Sequence, residues 1–213
     1  MYLKDSLRDF LEKTKTKDMP GGGSVVGYTA SLGAALTLMV ANLSFGKKRY
    51  ESKSEEIKNL VKEDYQELED LIEELLKKME EDAKSFDGVL EAMRLPKETE
   101  EEKEFRKEKI QEGYVLATET PLETGELVVK TMNAQKNLAY HGDIYAITDQ
   151  GAGTLLLAAS GEAALLNVIV NLKSMVDSDK KTEIKQRYEK CIQEIHDIKE
   201  ELMKSCYGRL DEM

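Results

Sequence analysis

The chain has 213 residues, enough to bury a hydrophobic core, and no linker-like segment divides it. With three prolines, no tryptophan and few aromatic residues, its composition is typical of a helical protein. The formal net charge of −11 argues against nucleic acid as a partner, because phosphate backbones attract basic proteins. We therefore predict one domain over residues 1–213.

The two cysteines are not expected to pair with each other. Cys191 and Cys206 fall on one predicted helix, where a rise of 1.5 Å per residue separates them by about 22 Å. Free buried thiols are typical of a reducing compartment. The first residues, Met1 to Asp5, show no signal-peptide pattern. We expect a cytoplasmic protein.

The first predicted element is a short amphipathic helix over residues 2–16. Leu3, Leu7, Phe10 and Leu11 share one of its faces. This apolar face predicts packing against the rest of the chain, and the glycine-rich loop that follows ends the helix.

An uncharged stretch from Gly21 to Gly46 interrupts a chain in which 34% of the residues are charged. Pro20 to Ser24 opens it with three successive glycines, which let a backbone approach a ligand closely. Ser24 is the predicted N-cap of the following helix, whose first turn offers free N–H groups to an anion or a carbonyl. The stretch therefore predicts a binding loop in front of a buried helix.

The length of this stretch raises the question of a membrane span. Its small and polar residues favour a helix in a soluble core instead, and no membrane association is expected. Gly27, Ala30, Ala34 and Leu38 recur at helical spacing, which suits close helix contacts within or between subunits.

Capping motifs and prolines predict the later helix boundaries. Ser52 with Glu55, and Thr99 with Glu102, are candidate capping boxes, and Pro121 is expected to end one helix and begin the next. No segment alternates as a strand would. The fold prediction is an all-α bundle of long antiparallel helices. After the first two helices, the predicted ranges are 52–93, 99–120, 121–139, 149–176 and 178–207.

One carboxylate lies on the flank of an apolar helix face. At 100° per residue, Asp82 falls roughly 60° from the centre of the apolar stripe on the third helix. Such a residue pairs with a cation, caps a helix or takes part in chemistry, and a structural role is the more common one. Asp64 lies on nearly the same line, so position alone does not separate the two.

Polar residues also interrupt the apolar helix over 149–176. Asp149 is in its first turn, where a carboxylate complements the helix dipole. Asn167 and Asn171 are four residues apart, so both amides project from one face. They either bind one ligand or are buried amides that pair with neighbouring backbone.

Several familiar motifs are excluded. His141 and His196 do not have metal-ligand spacing with cysteine or acidic residues, so no metal is predicted. The glycine loop lacks the Gly-Lys-Ser/Thr ending of a phosphate-binding loop. Lys47 and Lys48 follow the uncharged helix; they either complement its dipole or receive an anionic ligand tail.

Four motifs together resemble the cyclodeaminase/cyclohydrolase family of folate enzymes. They are Pro20 to Ser24 with the uncharged helix; Gly46 to Tyr50; Asp82 to Phe86 followed by Leu95-Pro96; and Asp149 leading to Asn167 through Leu172. The resemblance covers nearly the whole chain. It implies an all-helical homodimer with a folate site between helices, near the subunit interface.

The resemblance also implies roles for particular residues. Asp82 aligns with the acidic residue held to be catalytic in the cyclodeaminases, and Asp149 is the second catalytic candidate. The loop before Asp149 departs from the family, which usually has Gly-Asn where this chain has Gly142-Asp143. The candidate substrate-binding residues are Pro20, Gly21, Gly22, Gly23, Ser24, Lys47, Lys48, Asp143, Asn167 and Asn171.

Two folate reactions fit the resemblance. A cyclohydrolase interconverts 5,10-methenyltetrahydrofolate and 10-formyltetrahydrofolate, and a cyclodeaminase releases ammonia from formiminotetrahydrofolate. The absence of a formiminotransferase domain favours the cyclohydrolase. A helical dimer that binds folate without turnover is the remaining alternative. The expected substrate is a tetrahydrofolate derivative, polyglutamylated, with no cofactor.

Overall fold

The computed structural model describes residues 2–17 and 20–213, and the regular structure in these residues is helical throughout. The all-α prediction is confirmed. Two short 3-10 helices, Tyr2–Lys4 and Ile144–Ala146, accompany nine α-helices in this part of the chain. The α-helices are α1 (Leu7–Thr14), α2 (Gly22–Ser44), α3 (Lys48–Glu51), α4 (Glu55–Ser85), α5 (Asp87–Met93), α6 (Glu100–Asn133), α7 (Lys136–His141), α8 (Ile147–Ser174) and α9 (Asp179–Leu210).

The uncharged helix α2 lies between α4 and α8 and packs closely on both. A Cβ atom added to Gly33 would lie 2.8 Å from the carbonyl oxygen of Gly153, and one added to Gly27 would lie 2.8 Å from the backbone nitrogen of Met79. Ala30, between these glycines, is fully buried. The small residues of α2 therefore form close helix contacts inside the protomer, where a side chain would hold the backbones apart.

Contacts between α2 and α8 fix which ends of the two helices are neighbours. Gln150 donates a hydrogen bond to Thr37 Oγ1 at 3.4 Å, and Asp143 N–H donates to Ser44 Oγ at 2.7 Å. Residue numbers thus rise along α2 as they fall along α8. The start of α2 lies beside the later part of α8, and the end of α2 lies beside the start of α8.

A buried polar network adds a second connection between these helices. Gln135 donates to Thr37 Oγ1 at 2.6 Å, and Thr154 donates to Gln135 Oε1 at 3.1 Å. All three side chains are fully buried. Because buried hydrogen-bonding groups tolerate few alternative partners, this network holds α2, α8 and the α6–α7 junction in one register.

Two of the predicted helix boundaries are wrong in detail. The helix expected over 52–93 consists of α4 and α5, which meet at Phe86. Ser54, not Ser52, caps α4, because its hydroxyl oxygen accepts a hydrogen bond from the Ile57 N–H at 3.3 Å.

The prediction that Pro121 separates two helices is also wrong, since α6 runs through it. Proline has no N–H to donate to the carbonyl four residues earlier, which here belongs to Ala117. Asn171 of α8 supplies the missing donor: its Nδ2 donates to the Ala117 carbonyl oxygen at 2.8 Å. A side chain from a neighbouring helix therefore compensates for the proline.

This compensation predicts an interaction between two substitutions. Asn171→Ala should lower the free energy of unfolding by about 1–3 kcal/mol, because a buried carbonyl loses its partner. In the Pro121→Ala background the helix can make its own hydrogen bond, so the same change should cost much less. Chemical denaturation of the four proteins measures this difference. An equal loss in both backgrounds would show that Asn171 does not substitute for the missing donor.

Two helical segments are apolar and long enough to cross a membrane by length and composition alone: α2 and Ile144–Ser174. Buried core helices satisfy the same criterion. In the apolar 18-residue stretch of α2, 61% is buried inside the protein. In the corresponding stretch of the second segment, only 39% is buried. The core accounts for α2, whereas much of the apolar surface of α8 faces outward.

Both cysteines are buried and free, as predicted from their spacing. Burial raises the pKa of the Cys191 thiol to about 12 and also raises that of Cys206. Neither thiol is therefore activated as a nucleophile at neutral pH.

Candidate active site

The Asp82 carboxylate lies against the first turn of α2. A Cβ atom at Gly23 would lie 2.0 Å from Asp82 Oδ1, so only glycine leaves room for this carboxylate. The Ser24 hydroxyl donates to Asp82 Oδ2 at 3.2 Å, and the Ser24 backbone N–H also favours the charged carboxylate. Asp82 thus faces the free N–H groups at the start of α2, where a capping residue would lie.

The predicted role of Ser24 as the N-cap is therefore wrong. The N-cap is Gly21, which makes no side-chain capping bond, and α2 begins at Gly22. Ser24 lies in the first turn and is fully buried. The Asp82 carboxylate of α4 lies where a capping side chain would lie, and the Ser24 hydroxyl donates a hydrogen bond to it.

Asp82 is partly desolvated and lacks a cationic partner. Burial raises the pKa of its carboxyl group, against the hydrogen bonds from Ser24, which lower it. Within residues 2–17 and 20–213, no lysine or arginine forms an ion pair with it, and the first turn of α2 carries no charged residue. A raised pKa without a structural counter-ion is typical of a carboxylate that transfers protons or faces a cationic ligand.

Asp64, which the sequence could not distinguish from Asp82, has a different environment. Burial raises the pKa of Asp64 as well, but its carboxylate accepts a hydrogen bond from Asn137 Nδ2 at 3.0 Å. This contact joins α4 to α7. Asp64 is a partly buried carboxylate held by an amide, whereas Asp82 lies at a glycine-lined helix N-terminus.

A second group of predicted site residues lies where α2 ends. Asp143, whose side chain is only 7% exposed, forms an ion pair with Lys47. The negative charge of Asp143 is therefore balanced by a lysine, and Lys47 is not free for a ligand. Lys48 is exposed, and no ion pair involves it within the described part of the chain.

The two groups are far apart within the chain. Asp82 is at the start of α2 and Lys47 just beyond its end, and the 23 residues of α2 separate them by roughly 33 Å. We call these the Asp82 end and the Lys47 end of the α2–α8 pair. Asp149, in the first turn of α8, belongs to the Lys47 end.

The two asparagines are on the later part of α8, toward the Asp82 end. Asn167 is exposed and open to a ligand. Asn171 has its amide nitrogen engaged by the Ala117 carbonyl, so only its oxygen remains for a ligand. For Asn171, pairing with neighbouring backbone is thus observed.

Sequence reasoning missed two aromatic residues near the carboxylate. Phe86, one turn after Asp82, was named as the end of the Asp82 to Phe86 motif and was given no role of its own. It is partly exposed and packs edge-on against Tyr114, with ring centroids 6.1 Å apart. Tyr2 is buried to 4% exposure, and no sequence pattern indicated it.

The fold and the site define a class of protein: an all-helical protein whose candidate chemistry rests on a partly buried carboxylate at a helix N-terminus. Among residues 2–17 and 20–213, no three His, Cys, Asp or Glu side chains come together as a metal site would require.

Comparison with known proteins identifies the family. The model of the formiminotransferase-cyclodeaminase family matches residues 6–190, and the chain belongs to this family. It is 36% identical over 175 residues to the formimidoyltransferase-cyclodeaminase of Gallus gallus, covering 82% of this chain and 32% of that protein. The chain thus spans about a third of the length of this vertebrate relative.

A second relative matches along most of its own length. The chain is 33% identical over 178 residues to the methenyltetrahydrofolate cyclohydrolase of Methylorubrum extorquens, covering 83% of this chain and 84% of that protein. The solved structure of formiminotetrahydrofolate cyclodeaminase from Thermotoga maritima has a TM-score of 0.83 and covers 99% of this chain and all of its own. At 21% identity, that likeness shows a shared fold.

Proposed function

We propose that this protein is a cytoplasmic methenyltetrahydrofolate cyclohydrolase, which interconverts 5,10-methenyltetrahydrofolate and 10-formyltetrahydrofolate. The observation that carries the proposal is the Asp82 carboxylate, held by Ser24 without a cationic partner. The relative matched over 84% of its length is named for this reaction. The second candidate is formiminotetrahydrofolate cyclodeaminase, the activity named for the protein of the same fold.

The chemistry of the substrate fits such a carboxylate. The methenyl bridge between N5 and N10 is an amidinium cation, which a nearby negative charge stabilises. Water attacks the bridging carbon, and Asp82 takes up its proton. The hydroxyl of the adduct then loses its remaining proton to solvent as its oxygen forms the formyl C=O. The bond from N5 to that carbon breaks in the same step, and Asp82 returns its proton to N5. A raised pKa suits both steps, because it makes the carboxylate a stronger proton acceptor than an ordinary aspartate while the protonated group can still donate.

The remaining predicted residues would bind the rest of the substrate. Pro20 to Ser24 would face the pterin ring, with Asn167 and the free oxygen of Asn171 at the same end. Lys48 would attract the glutamate carboxylates, while Lys47 would hold Asp143 in place. Asp149 would position water or support the cation. The proposed reaction needs no metal or redox cofactor.

We further infer an antiparallel helical bundle that forms a homodimer through the outer face of α2 and α8. Several large apolar side chains are exposed there, and no charged residue of α2 interrupts the face. Leu166 and Val170 are 63% and 61% exposed. Burying such a face against a second copy would remove apolar surface from water. The exposed members are Leu32, Met39, Leu43, Leu155, Leu166 and Val170.

The dimer would also complete the active site. A folate with one glutamate is too short to reach from the Asp82 end to the Lys47 end of one protomer, roughly 33 Å away. A two-fold axis across the helix direction would bring the Asp82 end of one protomer to the Lys47 end of its partner. Each site would then combine Asp82 with Asp149 of the partner subunit.

Mixed dimers test this arrangement. Dimers with Asp82→Asn in one protomer and Asp149→Asn in the other should have about half of the wild-type activity, because one of the two sites keeps both carboxylates. Each homodimeric variant should be inactive. If both carboxylates act within one protomer, every site in the mixed dimer is damaged, and the mixed dimer should be inactive as well.

The absorption band of the methenyl compound decides between the activities. Loss of the band on adding purified protein would show hydrolysis. Appearance of the band from formiminotetrahydrofolate, with release of ammonia, would show deamination instead. Binding of both compounds without turnover would contradict an enzymatic role.

A further inference from the structure

An N-terminal arm, residues 2–14, is attached to the body of the protein mainly through aromatic rings. No residue of α1 is buried, and Leu3, Leu7 and Leu11, which were expected to pack inward, are exposed. Phe10 instead makes the contact with the body. Its ring meets that of Tyr28 on α2 with centroids 5.7 Å apart.

Phe10 connects the body to a deeply buried tyrosine. The Tyr2 ring packs edge-on against Phe10, with centroids 5.9 Å apart, and is only 4% exposed. The arm therefore has its most buried side chain at its very start. Tyr2 also lies outside the region that the family model matches, which begins at residue 6.

Through the Phe10–Tyr28 contact the arm packs near the start of α2, where the candidate catalytic carboxylate lies. Tyr28 is one helical turn after Ser24, which donates to Asp82. Burial raises the pKa of the Tyr2 phenol; Lys13 lowers it, and Asp82 raises it further. The phenol is thus within electrostatic reach of the Asp82 carboxylate.

The charged groups around this point are paired with one another. On the arm, Lys13 forms an ion pair with Asp5 at 2.7 Å. On the other side, Lys78 of α4 pairs with Glu81 at 2.9 Å and with Glu123 of α6 at 2.6 Å. These two lysines are thus engaged by other carboxylates, and burial is the largest influence on the pKa of the Asp82 carboxyl group.

We propose that the arm covers one side of the Asp82 site, and that Tyr2 is a positioning residue whose ring limits the access of bulk water to the Asp82 carboxylate. The ring alone is required, so phenylalanine should replace tyrosine. A kinetic test of this proposal rests on the proposed function, whereas a test by chemical labelling of the Asp82 carboxyl group does not.

Kinetics distinguish a cover from a merely structural contact. In Tyr2→Ala, water should reach Asp82 and lower its pKa, so the acid limb of the kcat/KM profile should move to lower pH. The kcat value at neutral pH should fall roughly tenfold, because a less basic carboxylate is a poorer proton acceptor. Tyr2→Phe should keep both the profile and the rate. An unmoved acid limb in Tyr2→Ala would overturn the proposal.

Carboxyl labelling tests the same point without any substrate. Modification by a water-soluble carbodiimide and an amine, quantified by peptide mass spectrometry, should rise several-fold at Asp82 in Tyr2→Ala and stay unchanged in Tyr2→Phe. Asp64, on the same helix but paired with Asn137, is the internal reference. Phe10→Ala releases the arm at another point and should give the same result. Unchanged labelling of Asp82 in both alanine variants would overturn the proposal, even if the protein has no folate activity.

Discussion

Replacing Asp82 by asparagine is expected to lower the turnover of methenyltetrahydrofolate by about 10²–10⁴-fold, the usual contribution of a general base. Asparagine has nearly the same shape and still accepts the hydrogen bonds from Ser24, but it cannot take up a proton. The loss should therefore appear in kcat, while KM changes little. Initial rates from the decay of the methenyl band measure both constants.

The same substitution should not destabilise the protein. Burial raises the pKa of Asp82 above its ordinary value of 3.8, so the folded state binds the proton more tightly than the unfolded state. Stability from this group is therefore lost as the pH rises from 3.8 through the folded pKa. At neutral pH asparagine removes that cost, and the melting temperature of Asp82→Asn should equal or exceed that of the wild type.

Asp64→Asn is the matched control. Asp64 is on the same helix and its pKa is also raised by burial, but it is 18 residues away, about 27 Å along α4. Its replacement should leave kcat within about twofold of the wild type. If Asp64→Asn loses as much activity as Asp82→Asn, the loss reflects damage to α4 and not the removal of a base.

Gly23→Ala is expected to have the second largest effect. The added Cβ atom would lie 2.0 Å from Asp82 Oδ1 and 2.4 Å from Cγ, so the carboxylate has to move. A displacement of about 1 Å in a reacting group can cost 10²-fold in rate, and we expect kcat to fall by about that factor.

Gly22→Ala separates this effect from a change in helix propensity. Gly22 is also in the first turn of α2, but an added Cβ atom there would meet nothing within 4 Å. Because Asp82 stays in place, kcat should be kept, and any effect of this loop substitution should be confined to KM. Equal losses of kcat in the two variants would contradict the role assigned to the Gly23–Asp82 contact.

Local sequence signals predicted those parts of the fold that local interactions determine. The Thr99–Glu102 capping box is present: the Thr99 hydroxyl accepts from the Glu102 N–H, and the Glu102 carboxylate accepts from the Thr99 N–H, both at 3.1 Å. Pro121 gave a wrong boundary because the donor that compensates for it, Asn171, is fifty residues away. No local pattern contains that information.

The candidate site was partly predictable for the same reason. The glycines and Asp82 stood out by composition and by position on a helix, but choosing Asp82 over Asp64 required the resemblance to the family. The Asp82–Gly23 contact, which supports the choice physically, joins residues 59 apart in sequence. Likewise, the ion pair of Lys47 with Asp143 crosses 96 residues, so the neutralisation of the unusual acid became visible only in the fold.

The pH dependence of kcat/KM tests the central claim, that the Asp82 carboxylate is the base, most directly, because kcat/KM reports the ionisations of the free enzyme. A base acts only when deprotonated, so kcat/KM should rise with pH through one ionisation, with a midpoint above 3.8 because burial raises the pKa of Asp82. The residual activity of Asp82→Asn should lack this ionisation. The same acid limb in both proteins, or a wild-type kcat/KM that does not change with pH across this range, would contradict the assignment.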